Sequence, residues 1–238
     1  MSRNIVIIGA SGTIGSSLVN IYKKNSDNQV YAFSRGYNYQ RDANLIMDDI
    51  DILDEGSMQK IVMKYFTESS IDILIIATGL LHNEIIFPEK SIREISLKKF
   101  QTVFNINTFA PALIFKHFFN SISRERKSVF AAFSARVGSI SDNKIGGWHS
   151  YRASKSALNM IIKNFSIEIS RKYKNNIIVG LHPGTVDSKL SKPFQKNVPT
   201  EKLFSGEYSA LKIVKVLDSL SIQDTGKCFD FNSLEVFP

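Results

Sequence analysis

Short apolar runs recur along this chain with polar, turn-rich stretches between them. Ile5-Val6-Ile7-Ile8, Val30-Tyr31-Ala32-Phe33, Ile73-Leu74-Ile75-Ile76 and Ile177-Ile178-Val179 contain no alternating polar positions. Such runs suit parallel strands that are covered on both faces. The pattern predicts strands at residues 4–8, 29–34, 43–47, 72–77, 127–134, 176–182 and 227–231, and helices at 14–24, 56–66, 97–122, 151–172 and 206–220. Strands alternating with helices imply βαβ units, and hence a Rossmann-type doubly wound parallel sheet of about seven strands with helices on both faces. With no internal repeat, low-complexity tract or Pro/Gly-rich linker, residues 1–238 are expected to form one α/β domain.

Composition narrows the class. A 43% hydrophobic fraction can fill a sizeable core, yet no apolar run approaches the ~18 residues of a membrane span. The chain enters its first strand almost at once, with no basic leader, so a soluble cytoplasmic protein is expected. Cys228 is the single cysteine, which excludes an internal disulfide, and His82, His117, His149 and His182 are too scattered for a metal site. The net charge of +8 lies wholly in the second half: residues 1–119 carry 12 basic and 12 acidic side chains, residues 120–238 carry 18 and 10. These cations (Lys163, Arg171, Lys172 and Lys174 among them) are spread along helices rather than interleaved with aromatics. They read as a solvated face, not a nucleic-acid surface, and their field favours an anionic ligand.

The first strand runs directly into Gly9-Ala10-Ser11-Gly12-Thr13-Ile14-Gly15 and an apolar helix. In a strand–turn–helix unit, Gly9 permits the sharp turn, Gly12 lets the backbone approach a pyrophosphate, and Gly15 allows close helix–strand packing. The helix N-terminus then offers free N–H groups to the phosphates. At the end of the second strand, where a carboxylate would bind the ribose of NAD, the chain instead has Ser34-Arg35. A hydroxyl and a guanidinium suit the extra phosphate of NADP, so NADP(H) is the expected cofactor.

Tyr151-Arg152-Ala153-Ser154-Lys155 opens a long apolar helix and puts a phenol and an ammonium on one helical face. A nearby positive charge favours phenolate, which brings a tyrosine closer to a proton carrier's working range.

With the Gly-rich turn at one end and this pair in the second half, the whole chain resembles the short-chain dehydrogenase/reductase family. The segments Ala77-Thr78-Gly79-Leu80-Leu81-His82 and Ser134-Ala135-Arg136-Val137-Gly138-Ser139-Ile140-Ser141-Asp142-Asn143, then Gly146-Gly147-Trp148-His149-Ser150-Tyr151-Arg152-Ala153-Ser154-Lys155, are similar to its branch of C-factor-type proteins and sniffer-type carbonyl reductases. The resemblance implies that Asn107 holds a water of a proton relay, that Asp51 and Ile52 contact the adenine, and that Pro183, Gly184, Val186 and Ser188 position the nicotinamide carboxamide. It also gives Lys155 the nicotinamide ribose; its relatives include single chains as well as homodimers and homotetramers, and core packing explains Phe115, Phe118 and Phe119 as well as a subunit contact would.

Two departures stand out. Ile76-Ala77-Thr78-Gly79 replaces the family's Asn-Asn-Ala-Gly, keeping only Gly79. In the Ser-x-x-Gly register before Gly138 the serine position is Ala135; Ser134 at the strand end is the favoured catalytic serine, and Ser139 on the following loop is the alternative. The expected activity is reversible hydride transfer between NADPH and a small carbonyl or alcohol substrate, with Tyr151, Lys155, Ser134 (or Ser139) and Asn107 as the catalytic set. The other class is a dinucleotide-binding, C-factor-like signalling protein with weak or no catalysis.

Overall fold

The computed structural model describes residues 2–238. The chain runs β1 (Arg3–Ile8), α1 (Thr13–Tyr22), β2 (Asn28–Phe33), β3 (Gln40–Asp42), β4 (Leu45–Asp48), α2 (Glu55–Tyr65) and β5 (Ile73–Ile76). It continues through α3 (Leu97–Phe104), a π-helical turn (Asn105–Phe109), α4 (Ala110–Phe118), β6 (Ser128–Phe133), α5 (His149–Lys172) and β7 (Asn176–His182). The last part holds β8 (Thr185–Val186), β9 (Leu203–Phe204), α6 (Gly206–Ser219) and β10 (Cys228–Asp230). Eight strands form one sheet in the order β10-β7-β6-β5-β1-β2-β4-β3, parallel except for the β3–β4 pair. This is the doubly wound α/β fold expected from the strand–helix alternation.

Side chains alternate across each strand, so one sheet supplies two cores. Ile5, Ile7, Val30, Ile75 and Val179 pack against Leu18 of α1 and Ile213 of α6. Val6, Ile8, Leu74, Ile76 and Ile178 pack on the other face against Met58 of α2, Ile114 of α4 and Leu158 of α5. Each of these buried aliphatic side chains contributes ~1.5–3 kcal/mol relative to exposure.

The seven expected strands correspond to β1, β2, β4, β5, β6, β7 and β10. The eighth, β3, consists of Gln40-Arg41-Asp42, all exposed. It carries no apolar signal and forms because the turn at Ala43 and Asn44 folds it back antiparallel on β4. A charged, short strand is a common way to end a sheet without inviting another chain. The expected helix over 97–122 is a correction in detail: it breaks at residues 105–109, where the Ala110 N–H reaches back five residues to the Asn105 carbonyl. Pro111, at the first turn of α4, has no N–H to give the Asn107 carbonyl.

Two ends of the sheet are built differently. At its N-terminal edge Asp72, buried, accepts the Asn4 N–H at 2.7 Å and pairs with Arg126, tying β1, β5 and the approach to β6 together. At the C-terminal edge the order reverses between β1 and β5, leaving the crevice in which open α/β sheets hold ligands. Packing there is tight: a Cβ on Gly15 would lie 2.2 Å from the Gly9 carbonyl oxygen, whereas one on Gly12 would meet that oxygen at 3.3 Å. Gly15→Ala is therefore expected to destabilise the ligand-free protein by more than about 2 kcal/mol in urea unfolding, and Gly12→Ala by about 1 kcal/mol or less. Equal losses would show that the turn does not set the α1–β1 distance.

Candidate active site

Three elements converge at the crevice. The turn from Gly9 to Gly12 leads into α1, whose N-terminus is capped by no side chain, so its first N–H groups remain available to an anion. Ser11 and Ser34 bring their hydroxyls to 2.5 Å of each other, joining the turn to the end of β2. Arg35 follows on the exposed surface, without a carboxylate partner among the described residues. Asp49 accepts the Gly36 N–H and so holds the loop that carries Arg35. Asp51 accepts the Leu53 N–H at 2.9 Å in the turn before α2, with Ile52 packed on the α2 side of the core.

Ala77 continues the β5 pairing by donating to the Ile8 carbonyl. Next to it the Thr78 hydroxyl is buried without a hydrogen-bond partner among the described residues. A Cβ on Gly79 would lie 3.7 Å from Asn107 Oδ1 and 3.8 Å from Lys155 Nζ, so this residue, the helix break and α5 meet at one point. Asn107 is fully buried there. Its Oδ1 accepts the Leu80 N–H, and its Nδ2 donates to the Leu80 carbonyl (both 2.8 Å) and to Ser154 Oγ at 3.1 Å. On the far side, Pro183 and Gly184 leave β7, the Pro183 carbonyl accepts the Ser209 hydroxyl, Val186 is buried in β8, and the Ser188 N–H donates to Ser191 Oγ.

Tyr151 and Lys155 lie on the buried face of α5, as their spacing predicts. Lys155 Nζ donates to the Phe133 carbonyl at 2.7 Å and stands 5.8 Å from the centre of the Tyr151 ring. Burial sets the acidity of both groups: the phenol is pushed up to about 12 and the ammonium down to about 8. The expectation that Lys155 acidifies Tyr151 is thus not met by this arrangement alone. Both groups are held toward their neutral forms by the apolar surroundings.

Those surroundings are Leu81, Ile86, Val103 and Ala135, with Val137, Trp148 and Phe194 at the edge. Ala135, just past the end of β6, belongs to the same apolar cluster as Tyr151. Ser134 donates its hydroxyl to Asn159 Oδ1 at 2.6 Å. Ser139 accepts the Asp142 N–H at 3.1 Å and lies 3.2 Å from Ser141 Oγ, within its own loop. Beyond Gly79 a cleft of about 700 Å³ opens between His82, Ile85, Phe87 and Leu190. His82 stacks on Phe87 and meets Phe194 edge-on, linking the cleft to the wall beside Tyr151.

One residue here had no signal in the sequence. Glu89 is fully buried, and its Oε2 accepts both the N–H and the hydroxyl of Ser150, the residue before Tyr151. Its carbonyl accepts the N–H of Trp148, which enters α5 in the left-handed region with φ 51°. Glu89 lies some sixty positions from α5, and local pattern carries no information about a partner that remote.

Comparison with known proteins agrees with this geometry. Over 95 residues the chain is 37% identical to 1-hydroxy-2-glutathionyl-2-methyl-3-butene dehydrogenase of Rhodococcus sp. (strain AD45), covering 40% of this chain and 39% of that protein. It is 28% identical over 133 residues to C-signal of Myxococcus xanthus, covering 56% of this chain and 75% of that protein. The fold matches the NADPH-bound carbonyl reductase from chicken fatty liver with a TM-score of 0.86 at 23% identity, over 100% of both chains. The likeness to C-signal is in line with the C-factor-like branch anticipated from residues 77–82, 134–143 and 146–155, and the carbonyl reductase has the same fold. Among the described residues no helix is long and apolar enough to cross a membrane, and no group of acidic, His or Cys side chains could hold a metal ion. The short chain dehydrogenase model matches residues 3–199, a span that contains the Gly-rich turn, the helix break and the Tyr151–Lys155 pair, and this chain belongs to that family.

Proposed function

We propose that this protein is an NADP(H)-dependent reductase of small carbonyl compounds, its whole chain serving as one cofactor-binding domain. The observation that carries this reading is the Tyr151 side chain: it is buried in an apolar cluster, its hydroxyl has no hydrogen-bond partner among the described residues, and its ring centre stands 5.8 Å from the Lys155 ammonium, which in turn borders Gly79. A dinucleotide fits what surrounds it. The α1 N-terminus is free for a pyrophosphate, the Thr78 hydroxyl is buried without a partner, and Gly79 leaves open the space a Cβ would fill. Ser11, Ser34 and the unpaired Arg35 would hold a 2′-phosphate. When bound, the cofactor supplies the hydride from its nicotinamide ring.

The protein's part is proton delivery and placement. Tyr151 would donate its hydroxyl proton to the carbonyl oxygen, and Lys155, still largely protonated at pH 7, would hold the ribose hydroxyls and stabilise the phenolate left behind. Asn107, at the helix break beside Lys155, would hold the water that links Lys155 to solvent. Pro183, Gly184, Val186 and Ser188 would line the carboxamide, with Asp51 and Ile52 at the adenine. The similarity to C-signal favours a second reading, in which dinucleotide binding serves signalling and turnover is negligible.

Tyr151→Phe decides between them. It is expected to keep NADPH affinity, read by cofactor fluorescence, within about threefold while carbonyl turnover falls at least ~100-fold. Turnover equal to the parent protein would remove Tyr151 from the chemistry.

Lys155→Met tests the buried ammonium. Because its folded value of about 8 lies below the usual 10.5, the charge costs stability at neutral pH, and that cost fades as pH rises from 8 to 10.5. The variant is expected to melt at or above the parent's temperature at pH 7, with any advantage shrinking toward pH 10, and to lose at least ~100-fold in turnover. A large drop in melting temperature at pH 7 would contradict this.

A further inference from the structure

We infer that Glu89 is a positioning residue of the carbonyl-reducing site: its carboxylate and its own backbone tie the outer wall of the cleft to the helix that carries Tyr151. This role rests on the reductase reading above and adds to it a residue that acts only through its neighbours.

Helix α5 starts without a cap of its own. Its N-cap residue is Trp148, whose side chain makes no capping hydrogen bond, where Ser, Thr, Asp or Asn would ordinarily take one of the free N–H groups. Glu89 supplies the cap from 61 positions upstream: its Oε2 accepts the Ser150 N–H at 3.1 Å and the Ser150 hydroxyl at 3.0 Å. Its carbonyl accepts the Trp148 N–H. The approach is close, for a Cβ on Gly147 would lie 3.3 Å from that carbonyl oxygen. The side chain is wholly buried, and its Oε1 has no hydrogen-bond partner among the described residues. An orphaned carboxylate oxygen weakens a core; what it secures here is the place of the Trp148 ring. A serine at position 148 would cap α5 unaided and leave the wall without that ring.

Both ends of the tie lie in the site. At one end the Trp148 ring meets Tyr151 at 6.2 Å and Phe194 at 5.0 Å. At the other, Glu89 follows closely on His82, Asn83, Ile85 and Phe87, which line the cleft of about 700 Å³. That stretch is stiff in itself: Asn83 Oδ1 accepts the N–H groups of Ile85 and Ile86 at 2.9 and 2.8 Å, and the Asn83 N–H donates to the Ile86 carbonyl. Ile86 shares the apolar cluster of Tyr151. A carbonyl compound in the cleft would thus be held between a wall and a proton donor that Glu89 joins. Misplacement by about 1 Å can slow such a reaction by ~10²-fold.

Trp148 is the single tryptophan of the chain, so intrinsic fluorescence reports on this turn alone. Turnover is followed as NADPH oxidation with 4-nitrobenzaldehyde, or with the best substrate in a panel of simple aldehydes, ketones and quinones. Glu89→Ala is expected to raise acrylamide quenching of Trp148 at least about twofold and to lower kcat/KM by about 10- to 100-fold, with NADPH affinity kept within about threefold. Glu89→Gln keeps an oxygen for the two Ser150 donors and is expected to return both readouts to near the parent values. In a Trp148→Gly background, where the ring is gone and glycine accepts the positive φ, Glu89→Ala is expected to cost no more than about threefold. Unchanged quenching or unchanged kcat/KM in Glu89→Ala overturns the inference. So does an equal loss in the Trp148→Gly background, which would mark Glu89 as a residue of general structural use. Should Glu89→Ala not fold, Glu89→Asp, with its carboxylate one methylene short of Ser150, takes its place with the same expected direction and the same overturning results. If the parent binds NADPH and reduces no member of the panel, the reductase reading falls instead, and the quenching comparison still decides whether Glu89 places the Trp148 ring.

Discussion

The side-chain amide of Asn107 is the joint on which the site is built. It exchanges two hydrogen bonds of 2.8 Å with the backbone of Leu80 and gives a third to Ser154. Through it, the loop after β5 and the π-helical turn, both in the β5–β6 crossover, are fixed to α5, which belongs to the next one. Any one of these bonds contributes a net ~0.5–1.5 kcal/mol, but losing a partner inside the core would leave a buried polar group unsatisfied at greater cost. Thr108 adds a parallel link, its hydroxyl donating to the Ser154 carbonyl at 2.9 Å. The distance from Gly79 to the Lys155 ammonium is a consequence of this joint.

What the joint holds in place is electrically expensive. Lys155 is buried with one carbonyl partner, and Tyr151 is buried with none for its hydroxyl. A core selected for stability alone would place neither group there. The rest of the sheet compensates through two continuous aliphatic layers and the Asp72–Arg126 pair at the opposite edge. Rigidity and unsatisfied chemistry are thus kept at opposite ends of the same strands. The glycine turn is the exception, a tightly packed piece at the crevice end: Gly15 lets α1 press onto the Gly9 carbonyl, leaving the helix N-terminus pointed into the crevice.

The fold was legible because its strands are buried on both faces and therefore print as unbroken apolar runs, as in Ile5-Val6-Ile7-Ile8. β3 printed nothing, since Gln40, Arg41 and Asp42 face water and owe their pairing to a turn. The break at residues 105–109 did have a written sign in Pro111, which the apolar continuity of residues 97–122 outweighed. At the site, helical spacing is enough to put Tyr151 and Lys155 on one face. It cannot say where a short hydroxyl points, and that is decided by partners such as Asn159, which takes the Ser134 proton from two helical turns beyond Tyr151. Nor can it show that burial, rather than the neighbouring charge, governs the acidity of the pair.

The turn that enters α5 is held in a conformation that Trp148 does not favour. Gly146, Gly147 and Trp148 all have positive φ, and at Trp148 a bulky side chain occupies the left-handed region, a backbone state that costs on the order of 1–3 kcal/mol. The strain persists because Glu89 overdetermines it, taking the Trp148 N–H with its carbonyl and the Ser150 N–H and hydroxyl with its carboxylate. A carboxylate at this end of a 24-residue helix is also favoured by the helix dipole. The result is that the Trp148 ring meets Tyr151 edge-on at 6.2 Å and Phe194 at 5.0 Å, forming a wall that neither the sheet nor the helix would create by itself. The sheet therefore fixes where the reacting groups stand, while a strained turn anchored by one distant carboxylate shapes the space in front of them.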